Sequence, residues 1–336
     1  MPTYDDVVTM KLTSLEICAG AGGQALGLEL AGFDHVAAVE IDEAACATLA
    51  LNRPRWKVLP KDVRELDGHD YRGIDLFAGG VPCPPFSVAG KQRGGDDERD
   101  LFPTALRLIG EILPSAVLLE NVPGLASAKF SSYRRGVAET LTKLGYCVEW
   151  QVLNACNFGV PQLRPRFILV AVKNKWAGRF MWPQAIGTPP TVGETLGDLV
   201  GARGWRGVAG WVERAKGIGP TLVGGSKKHG GPDLGPTRAR AAWLELGVEG
   251  RSLAESAPDV DFPMNGCPRL TLRMAARVQG FPDDWAFSGK KTAAYRQIGN
   301  AFPPPVAAAV GGSIVAALHG LSVGAQPEQQ RLALMA

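Results

Sequence analysis

The sequence has 336 residues, of which 46% are hydrophobic and 21% are charged, proportions typical of a soluble globular protein with a sizeable core. The formal net charge of +3 is too small to indicate a nucleic-acid partner, and the six cysteines form no CxxC pair, which argues against a disulfide framework and a zinc knuckle. The N-terminus lacks a signal-peptide pattern and the longest apolar run, residues 306–318, is too short to cross a bilayer, so we expect a cytoplasmic protein without membrane association or a bound metal.

Apolar runs typical of buried strands alternate with helical periodicity from residue 12 to about residue 172. The predicted strands are residues 12–18, 35–41, 74–80, 116–122, 146–155 and 166–172, and the predicted helices are residues 22–32, 43–52, 102–113 and 132–145. Such alternation predicts an α/β fold with a doubly wound, mostly parallel sheet. Only residues 156–165 join the last two strands, too few for a helical crossover, so we expect that pair to be antiparallel.

The composition changes after residue 175. Residues 176–268 are rich in Gly, Pro, Trp and Arg and lack the strand–helix alternation, whereas helical periodicity returns in residues 270–281 and 304–320. We therefore predict a first domain built from residues 1–175 and 269–320, a smaller inserted domain of residues 176–268, and a tail of residues 321–336.

A glycine-rich turn, ICAGAGGQALGL, joins the first predicted strand to the first predicted helix. Glycines let the backbone approach a ligand closely, and the following helix N-terminus offers free N–H groups. Glu40 ends the second strand, where it could bind ribose hydroxyls. Asp62 follows a short third strand and could either meet an adenine amino group or cap a helix. The pattern indicates a nucleoside-containing cofactor, either NAD or S-adenosylmethionine.

Cys83 stands between prolines that restrict its backbone, just after predicted strand 74–80. Open α/β sheets bind ligands at the carboxyl ends of their strands, so a nucleophile is favoured over a buried structural cysteine. Glu120 ends strand 116–122 at the same edge. A partly desolvated carboxyl there has a raised pKa and can share or donate a proton; the alternative is an acid at a helix N-terminus.

Two arginines alternate in the segment PQLRPRF, residues 161–167. On an extended segment Arg164 and Arg166 would share one face and could bind a base carbonyl or a phosphate. The alternative is an exposed, charged strand edge.

Six motifs occur in the order found in bacterial cytosine-C5 DNA methyltransferases, and the chain therefore resembles that family. They are ICAGAGG, PCPPFS, ENV, QLRPR, RLTLRMAARVQGFPDDW and YRQIGNAFPPPVA. The resemblance covers roughly residues 12–173 and 269–318 and leaves residues 176–268 as the variable target-recognition region. It implies a class I methyltransferase fold, S-adenosyl-L-methionine as the cofactor with S-adenosyl-L-homocysteine as its product, and double-stranded DNA as the partner.

The resemblance also implies the roles of individual residues. Cys83 would attack C6 of a flipped-out cytosine while Glu120 interacts with N3 and the exocyclic amine. Arg164 would steady the base at O2, with Arg166 in a supporting role. The residues expected to line the S-adenosylmethionine site are Cys18, Ala19, Gly20, Gly22, Gly23, Glu40, Ile41, Asp62, Val63, Pro82, Leu101, Asn300 and Ala301.

Three positions depart from the family pattern. Pro84 stands where glutamine is usual, which changes how the gap left by the flipped base is filled. Cys18 stands where phenylalanine is usual, so adenine stacking is expected to be weaker, and Ala301 occupies a position that is often serine. None of these departures removes a group that performs chemistry.

The inserted region carries local positive charge. Residues 201–251 contain nine Lys and Arg against four acidic residues, a net charge of +5, which favours contact with DNA over a merely solvated basic face. Residues 87–101 are expected to form a lid over the flipped base. The residues predicted to contact DNA are Ser87, Lys91, Arg93, Lys227, Lys228, Arg238 and Arg240.

Three other functions agree less well with the sequence. An RNA cytosine-C5 methyltransferase would need a much shorter insert, and an NAD-dependent oxidoreductase would leave Cys83, ENV and QLRPR without a role. A catalytically inactive DNA-binding relative conflicts with the presence of Cys83, Glu120 and Arg164. We further expect a monomer that associates with the nucleoid through DNA and that can act beside a companion restriction endonuclease.

Overall fold

The structure, a computed structural model, describes residues 11–82, 100–225 and 231–321. Within these residues seven strands form one sheet in the order β3-β2-β1-β4-β5-β8-β6. These strands are β1 (Leu12–Ile17), β2 (Phe33–Glu40), β3 (Val58–Pro60), β4 (Leu76–Gly80), β5 (Ala116–Asn121), β6 (Tyr146–Asn154) and β8 (Pro165–Lys173). Two further strands, β7 (Gln162–Leu163) and β9 (Gly219–Pro220), form a separate parallel pair.

Strands β1 to β5 run parallel to one another. Strand β8 is antiparallel to both β5 and β6, because only a short turn and β7 connect β6 to β8. The predicted doubly wound, mostly parallel sheet and its antiparallel last pair are both confirmed. This topology brings the carboxyl ends of five parallel strands to one edge of the sheet, where ligands bind in such folds.

Helices cover both faces of the sheet, and among the described residues three of them lie in the inserted region. They are α1 (Gly23–Leu30), α2 (Glu43–Asn52), α3 (Phe102–Ile112), α4 (Ser131–Lys143), α5 (Val192–Gly201), α6 (Val208–Arg214), α7 (Thr237–Glu245), α8 (Leu272–Val278), α9 (Lys291–Asn300) and α10 (Pro304–His319). Several begin at side-chain caps. The Asp42 carboxylate accepts hydrogen bonds from two N–H groups of α2, and Thr191 forms a reciprocal capping box with Glu194 at α5.

Along each strand, alternate side chains point to opposite faces of the sheet and pack in different hydrophobic cores. Leu15 and Phe77 pack on the face covered by α3 and α4, whereas Leu76 packs on the face covered by α1 and α10. Helices α1 and α10 approach so closely that a Cβ atom at Gly27 would lie 2.4 Å from the Pro304 carbonyl oxygen. Gly27 is therefore required for this contact, which holds the glycine-rich turn against the returning segment.

The inserted region and the returning segment share one hydrophobic core. Trp205, Trp211 and Trp243 come from the insert, and their cluster includes Trp285 and Tyr295 from the residues that follow it. All five side chains are at most 2% exposed. Although residues 176–268 differ in composition from the rest, their packing thus depends on helices α8 and α9. The division of the chain at residues 175, 268 and 320 remains a prediction.

One stretch of the described residues, Lys291–His319, is long and apolar enough to cross a membrane, and 72% of its most apolar window is buried inside the protein. The stretch combines α9 with α10. Its buried residues belong to the hydrophobic cores described above.

Candidate active site

A cavity of about 470 Å³ opens at the carboxyl edge of the parallel strands, within the size range of pockets for small molecules and cofactors. Every residue predicted to bind the cofactor lines this cavity except Gly22. The residues that sequence reasoning missed are Glu16, Ala21, Gln24, Val39, Asp42, Ala45, Lys61, Arg64, Gly80, Ala293, Arg296, Gln297 and Phe302. Most of these residues are next to a predicted residue in the sequence. Their position near the strand ends is therefore the feature from which they could have been predicted.

The glycine-rich turn shapes the floor of the cavity. Cys18, Gly20 and Gly22 all have positive φ angles, at 51°, 54° and 86°, a conformation that favours glycine. A Cβ atom at Gly22 would lie 2.7 Å from a Leu49 methyl carbon and 3.0 Å from the Trp285 ring. Gly22 does not line the cavity and packs closely against the protein core, and its contact with the cofactor stays a prediction.

Glu40 holds the turn in place. One carboxylate oxygen accepts a hydrogen bond from the Gly20 N–H at 2.7 Å. The other oxygen accepts from the N–H groups of Ile41 and Asp42, both at 2.8 Å. A carboxylate offers about four acceptor positions, so one remains for a ligand at the cavity wall. Glu40 therefore links the segments that follow β1 and β2.

Asp62 has one of the two roles that the sequence left open, and its contact with an adenine amino group stays a prediction. It caps a 3₁₀ turn by accepting from the Arg64 N–H at 2.9 Å, and its other oxygen lies 3.0 Å from Nη1 of the Arg64 guanidinium. It also lines the cavity beyond the end of β3. The cap therefore fixes the side chain at the cavity wall.

Two buried polar side chains and the partly buried Cys18 thiol lie at the cavity near β1. Glu16 and Gln24 are 1% and 3% exposed, and among the described residues neither amide atom of Gln24, nor Oε2 of Glu16, has a hydrogen-bond partner. Burial, with a smaller effect of Glu40, raises the pKa of Glu16. Burial also raises the pKa of the Cys18 thiol to about 12, so that thiol stays protonated at neutral pH.

Glu120 and Arg166 form a nearly buried ion pair at the neighbouring strand end. Nε of Arg166 lies 2.7 Å from Oε1 of Glu120, and both side chains are only 12% exposed. Burial raises the pKa of Glu120, while the guanidinium groups of Arg166 and Arg164 oppose that rise. Glu120 also lines the cavity, and it pairs in register with Gly80. A carboxyl group with an elevated pKa and a cation beside it can exchange a proton with a bound substrate.

Arg164 does not share this position. Its side chain is fully buried and its guanidinium donates to the carbonyl oxygens of Leu222, Gly299 and Ala301 at 2.7, 2.8 and 2.9 Å. It does not line the cavity. The expectation that both arginines face the base is corrected: Arg164, before β8, joins the insert to the returning segment, and Arg166, within β8, faces Glu120.

The remaining predicted residues lie in three places. Asn300 lines the cavity, and its side-chain amide donates to the Gly225 carbonyl at 3.2 Å. Arg238 is exposed on α7, and Arg240 is partly buried there and donates to the Thr237 hydroxyl at 3.3 Å. The predicted residues Cys83, Ser87, Lys91, Arg93, Lys227 and Lys228, together with Pro84, lie outside the described residues.

Comparison with known proteins identifies the family to which this arrangement belongs. The profile of the C-5 cytosine-specific DNA methylase family matches residues 12–316. The chain is 55% identical over 312 residues to Type II methyltransferase M.NaeI of Lentzea aerocolonigenes, covering 92% of this chain and 76% of that protein. It is 54% identical over 313 residues to Type II methyltransferase M.NgoMIV of Neisseria gonorrhoeae, covering 92% and 99%.

Solved structures agree with this match. A DNA modification methyltransferase encoded within an Escherichia coli prophage is 28% identical, with a TM-score of 0.62 and coverage of 92% of this chain and 99% of that one. The Entamoeba histolytica methyltransferase EhMeth has a TM-score of 0.66 over 92% and 99% of the two chains, at 15% identity that shows the fold alone. These findings exclude the oxidoreductase alternative. The chain belongs to the C-5 cytosine-specific DNA methylase family and is a DNA (cytosine-5-)-methyltransferase.

Proposed function

We propose that this enzyme transfers a methyl group from S-adenosyl-L-methionine to a flipped-out cytosine within a specific double-stranded DNA sequence, as a Type II modification enzyme. The observation that carries the proposal is the Glu120–Arg166 pair at the edge of the cavity. It lies at the end of β5, next to the strand that leads through Pro82 to Cys83. A proton-exchanging group and a candidate nucleophile thus follow adjacent strands.

The order of the strands supports the choice of cofactor. From β3 to β5 the sheet edge presents Asp62, Glu40, the glycine turn, Pro82 and Glu120 in that sequence. Asp62 suits an adenine amino group, and the free acceptor position of Glu40 suits ribose hydroxyls. Over β1, Glu16 and Gln24 hold polar atoms that have no hydrogen-bond partner among the described residues and could bind an amino-acid end. The residues present therefore fit S-adenosylmethionine, which supplies an electrophilic methyl group when bound.

The chain's own residues activate the base. The Cys83 thiolate adds to C6 of cytosine, and the electrons of the C5–C6 bond become available at C5. Glu120, whose pKa is raised by burial, donates a proton to N3 as this charge develops. The Arg166 guanidinium orients Glu120 and faces the base oxygen O2. After C5 is methylated, a water molecule takes the C5 proton and Cys83 leaves as the thiolate, and N3 returns its proton to Glu120, which restores the aromatic ring.

The inserted region supplies the recognition of DNA. The target base must leave the stack, because its ring atoms are inaccessible in a duplex. Residues 176–268 carry the local positive charge and pack against the segment that returns to the cavity. Lys227 and Lys228 are assigned to phosphate contacts and Arg238 and Arg240 to base contacts, with Ser87, Lys91 and Arg93 contacting DNA beside Cys83.

The setting of the enzyme is proposed from its relatives. The proteins M.NaeI and M.NgoMIV are named Type II methyltransferases, and such enzymes protect DNA from a companion restriction endonuclease. We assign the same role here, with a monomer acting on double-stranded DNA in the cytoplasm.

Expression of the chain in a host free of cytosine methylation, followed by bisulfite sequencing, tests the proposal. We expect one short sequence to be methylated at one cytosine throughout the genome. Cys83→Ser is the matched control and should leave the DNA unmethylated. Methylation spread over unrelated sequences, or equal methylation by the Cys83→Ser variant, would contradict the proposal.

A further inference from the structure

The described residues on either side of segment 83–99 are tied together. The Leu101 N–H donates to the Pro82 carbonyl oxygen at 3.2 Å. The Asn121 side-chain amide donates to the Val81 carbonyl oxygen at 2.7 Å. The end of β4, the start of α3 and the end of β5 are therefore held together at the point where the chain leaves for Cys83.

Asp100 lies at this junction as a buried acid. Its side chain is 8% exposed, and one oxygen caps α3 by accepting from the Phe102 N–H at 3.0 Å. The Tyr133 hydroxyl lies 2.9 and 2.8 Å from the two carboxylate oxygens. The Tyr133 ring also packs edge-on against Phe102, with 5.7 Å between ring centroids. Helix α4 therefore holds the first turn of α3 through one hydroxyl and one ring.

This contact differs from an ordinary surface pair because the carboxylate is out of water. A buried carboxylate needs hydrogen-bond donors, and loss of the Tyr133 hydroxyl removes the donor that contacts both of its oxygens, at a substantial free-energy cost. Leu101, which follows Asp100 directly, lines the cofactor cavity. A shift of Asp100 would therefore move both the cavity wall and the Pro82 carbonyl to which Leu101 is bonded.

We propose that Asp100 and Tyr133 are positioning residues for methyl transfer. They fix Leu101, and through the Leu101–Pro82 hydrogen bond they fix the point at which the chain continues to Cys83. Neither side chain lines the cavity, so they act without touching the cofactor or the base. The inference rests on the proposed function in assigning Cys83 as the nucleophile.

The test compares four single variants and one double variant with the wild-type enzyme in single-turnover reactions at saturating DNA and cofactor. Tyr133→Phe removes only the hydroxyl, and Asp100→Ala removes the carboxylate. Asp100→Asn keeps an oxygen that accepts from Tyr133 and Phe102 and adds an amide that can donate to the Tyr133 oxygen. Tyr146→Phe is the matched control, because the Tyr146 hydroxyl donates to the Pro114 carbonyl at 2.6 Å in a buried position before β5 begins.

Two rates are measured: methyl transfer to DNA, and covalent trapping by a duplex with 5-fluorocytosine at the target. We expect Tyr133→Phe and Asp100→Ala to slow both rates by about tenfold, since small misplacements of reacting groups have large effects. The double variant, Asp100→Ala with Tyr133→Phe, should be no slower than Asp100→Ala alone, because that change already removes the contact with Tyr133. Asp100→Asn should stay within about twofold of wild type, as its hydrogen bonds are retained.

Thermal unfolding separates positioning from stability. Tyr133→Phe and Tyr146→Phe should lower the melting temperature similarly, but only Tyr133→Phe should slow the reaction. Equal slowing by Tyr146→Phe, or an unchanged rate in Tyr133→Phe, would overturn the inference. A wild-type enzyme that methylates DNA without forming an adduct would refute the assigned role of Cys83, while the methyl-transfer rates would still decide the role of Tyr133.

Discussion

Arg166 and Glu120 form an ion pair with 2.7 Å between Nε and Oε1, at the shared edge of β5 and β8. The pair is nearly buried, so the attraction between its charges is screened less than at the surface, while each charge is costly to leave alone. Burial raises the pKa of Glu120 and Arg166 partly reverses that rise. The pair is therefore suited to change its protonation when a base binds.

Replacement of Glu120 by Gln should abolish most of the activity. The amide has nearly the same shape but cannot donate and recover a proton at N3, and such proton transfers contribute roughly 10²–10⁴-fold to rates. We expect single-turnover methyl transfer to fall by that range, while calorimetry shows S-adenosylhomocysteine binding within about threefold of wild type. A variant with wild-type turnover would remove Glu120 from the chemistry.

Replacement of Arg166 by Gln should raise the pKa of Glu120 further. The guanidinium favours the charged carboxylate, so its removal leaves the burial effect unopposed by the nearest cation. The protonated form of Glu120 should then persist to higher pH. Carboxyl ¹³C chemical shifts in glutamate-labelled protein, assigned with Glu120→Gln, would measure the change. A downward shift would contradict the described electrostatics.

Replacement of Arg164 should affect stability rather than chemistry. Arg164→Met would leave the carbonyl oxygens of Leu222, Gly299 and Ala301 without this donor. We expect the free energy of unfolding to fall by about 3 kcal/mol, measured by urea denaturation. Arg166→Lys is the comparison, since it should slow methyl transfer with a smaller loss of stability. If Arg164→Met instead slowed methyl transfer and Arg166→Lys caused the larger loss of stability, Arg164 would be the residue that faces the base.

Replacement of Glu40 by Gln should weaken cofactor binding. The two carboxylate oxygens accept from the N–H groups of Gly20, Ile41 and Asp42, whereas an amide nitrogen cannot accept a hydrogen bond. An unpaired N–H and a disturbed turn should cost about 1–3 kcal/mol. That corresponds to a rise of about 5- to 150-fold in the S-adenosylhomocysteine dissociation constant, measurable by calorimetry. Unchanged affinity would show that Glu40 is not needed at this wall.

Exchange of the inserted region tests where specificity resides. Residues 176–268, transferred into a methyltransferase of different specificity together with compatible residues at the α8 and α9 contacts, should carry their target sequence with them. Base reading needs side chains at the groove edges, whereas the pocket for a flipped cytosine needs only cytosine. Bisulfite sequencing of DNA methylated by the hybrid gives the answer. An active hybrid that keeps its host's target would place recognition elsewhere.

The strand-end residues could be predicted because sheet topology alone brings them together. Glu40, Asp62, Pro82 and Glu120 each lie at or just beyond the carboxyl end of a strand in an alternating pattern, and the carboxyl ends of parallel strands meet at one edge. The short link between β6 and β8 likewise determined their antiparallel pairing. These features follow from local periodicity and chain length, which any single sequence displays.

Long-range packing determined contacts that local sequence patterns could not predict. The alternation of Arg164 and Arg166 in sequence placed both on one face, yet Arg164 bonds carbonyls that lie 58, 135 and 137 residues away. Gly22 looked like a cofactor residue, but its neighbours are Leu49 and Trp285. The contact of Asp100 with Tyr133 has no sequence signature at all. The sequence by itself determined the order of the elements, the family motifs and the carboxylates at the strand ends of the site. The tertiary structure decided which buried groups meet, because a buried guanidinium or carboxylate needs hydrogen-bond partners and takes them from whatever part of the folded chain lies beside it.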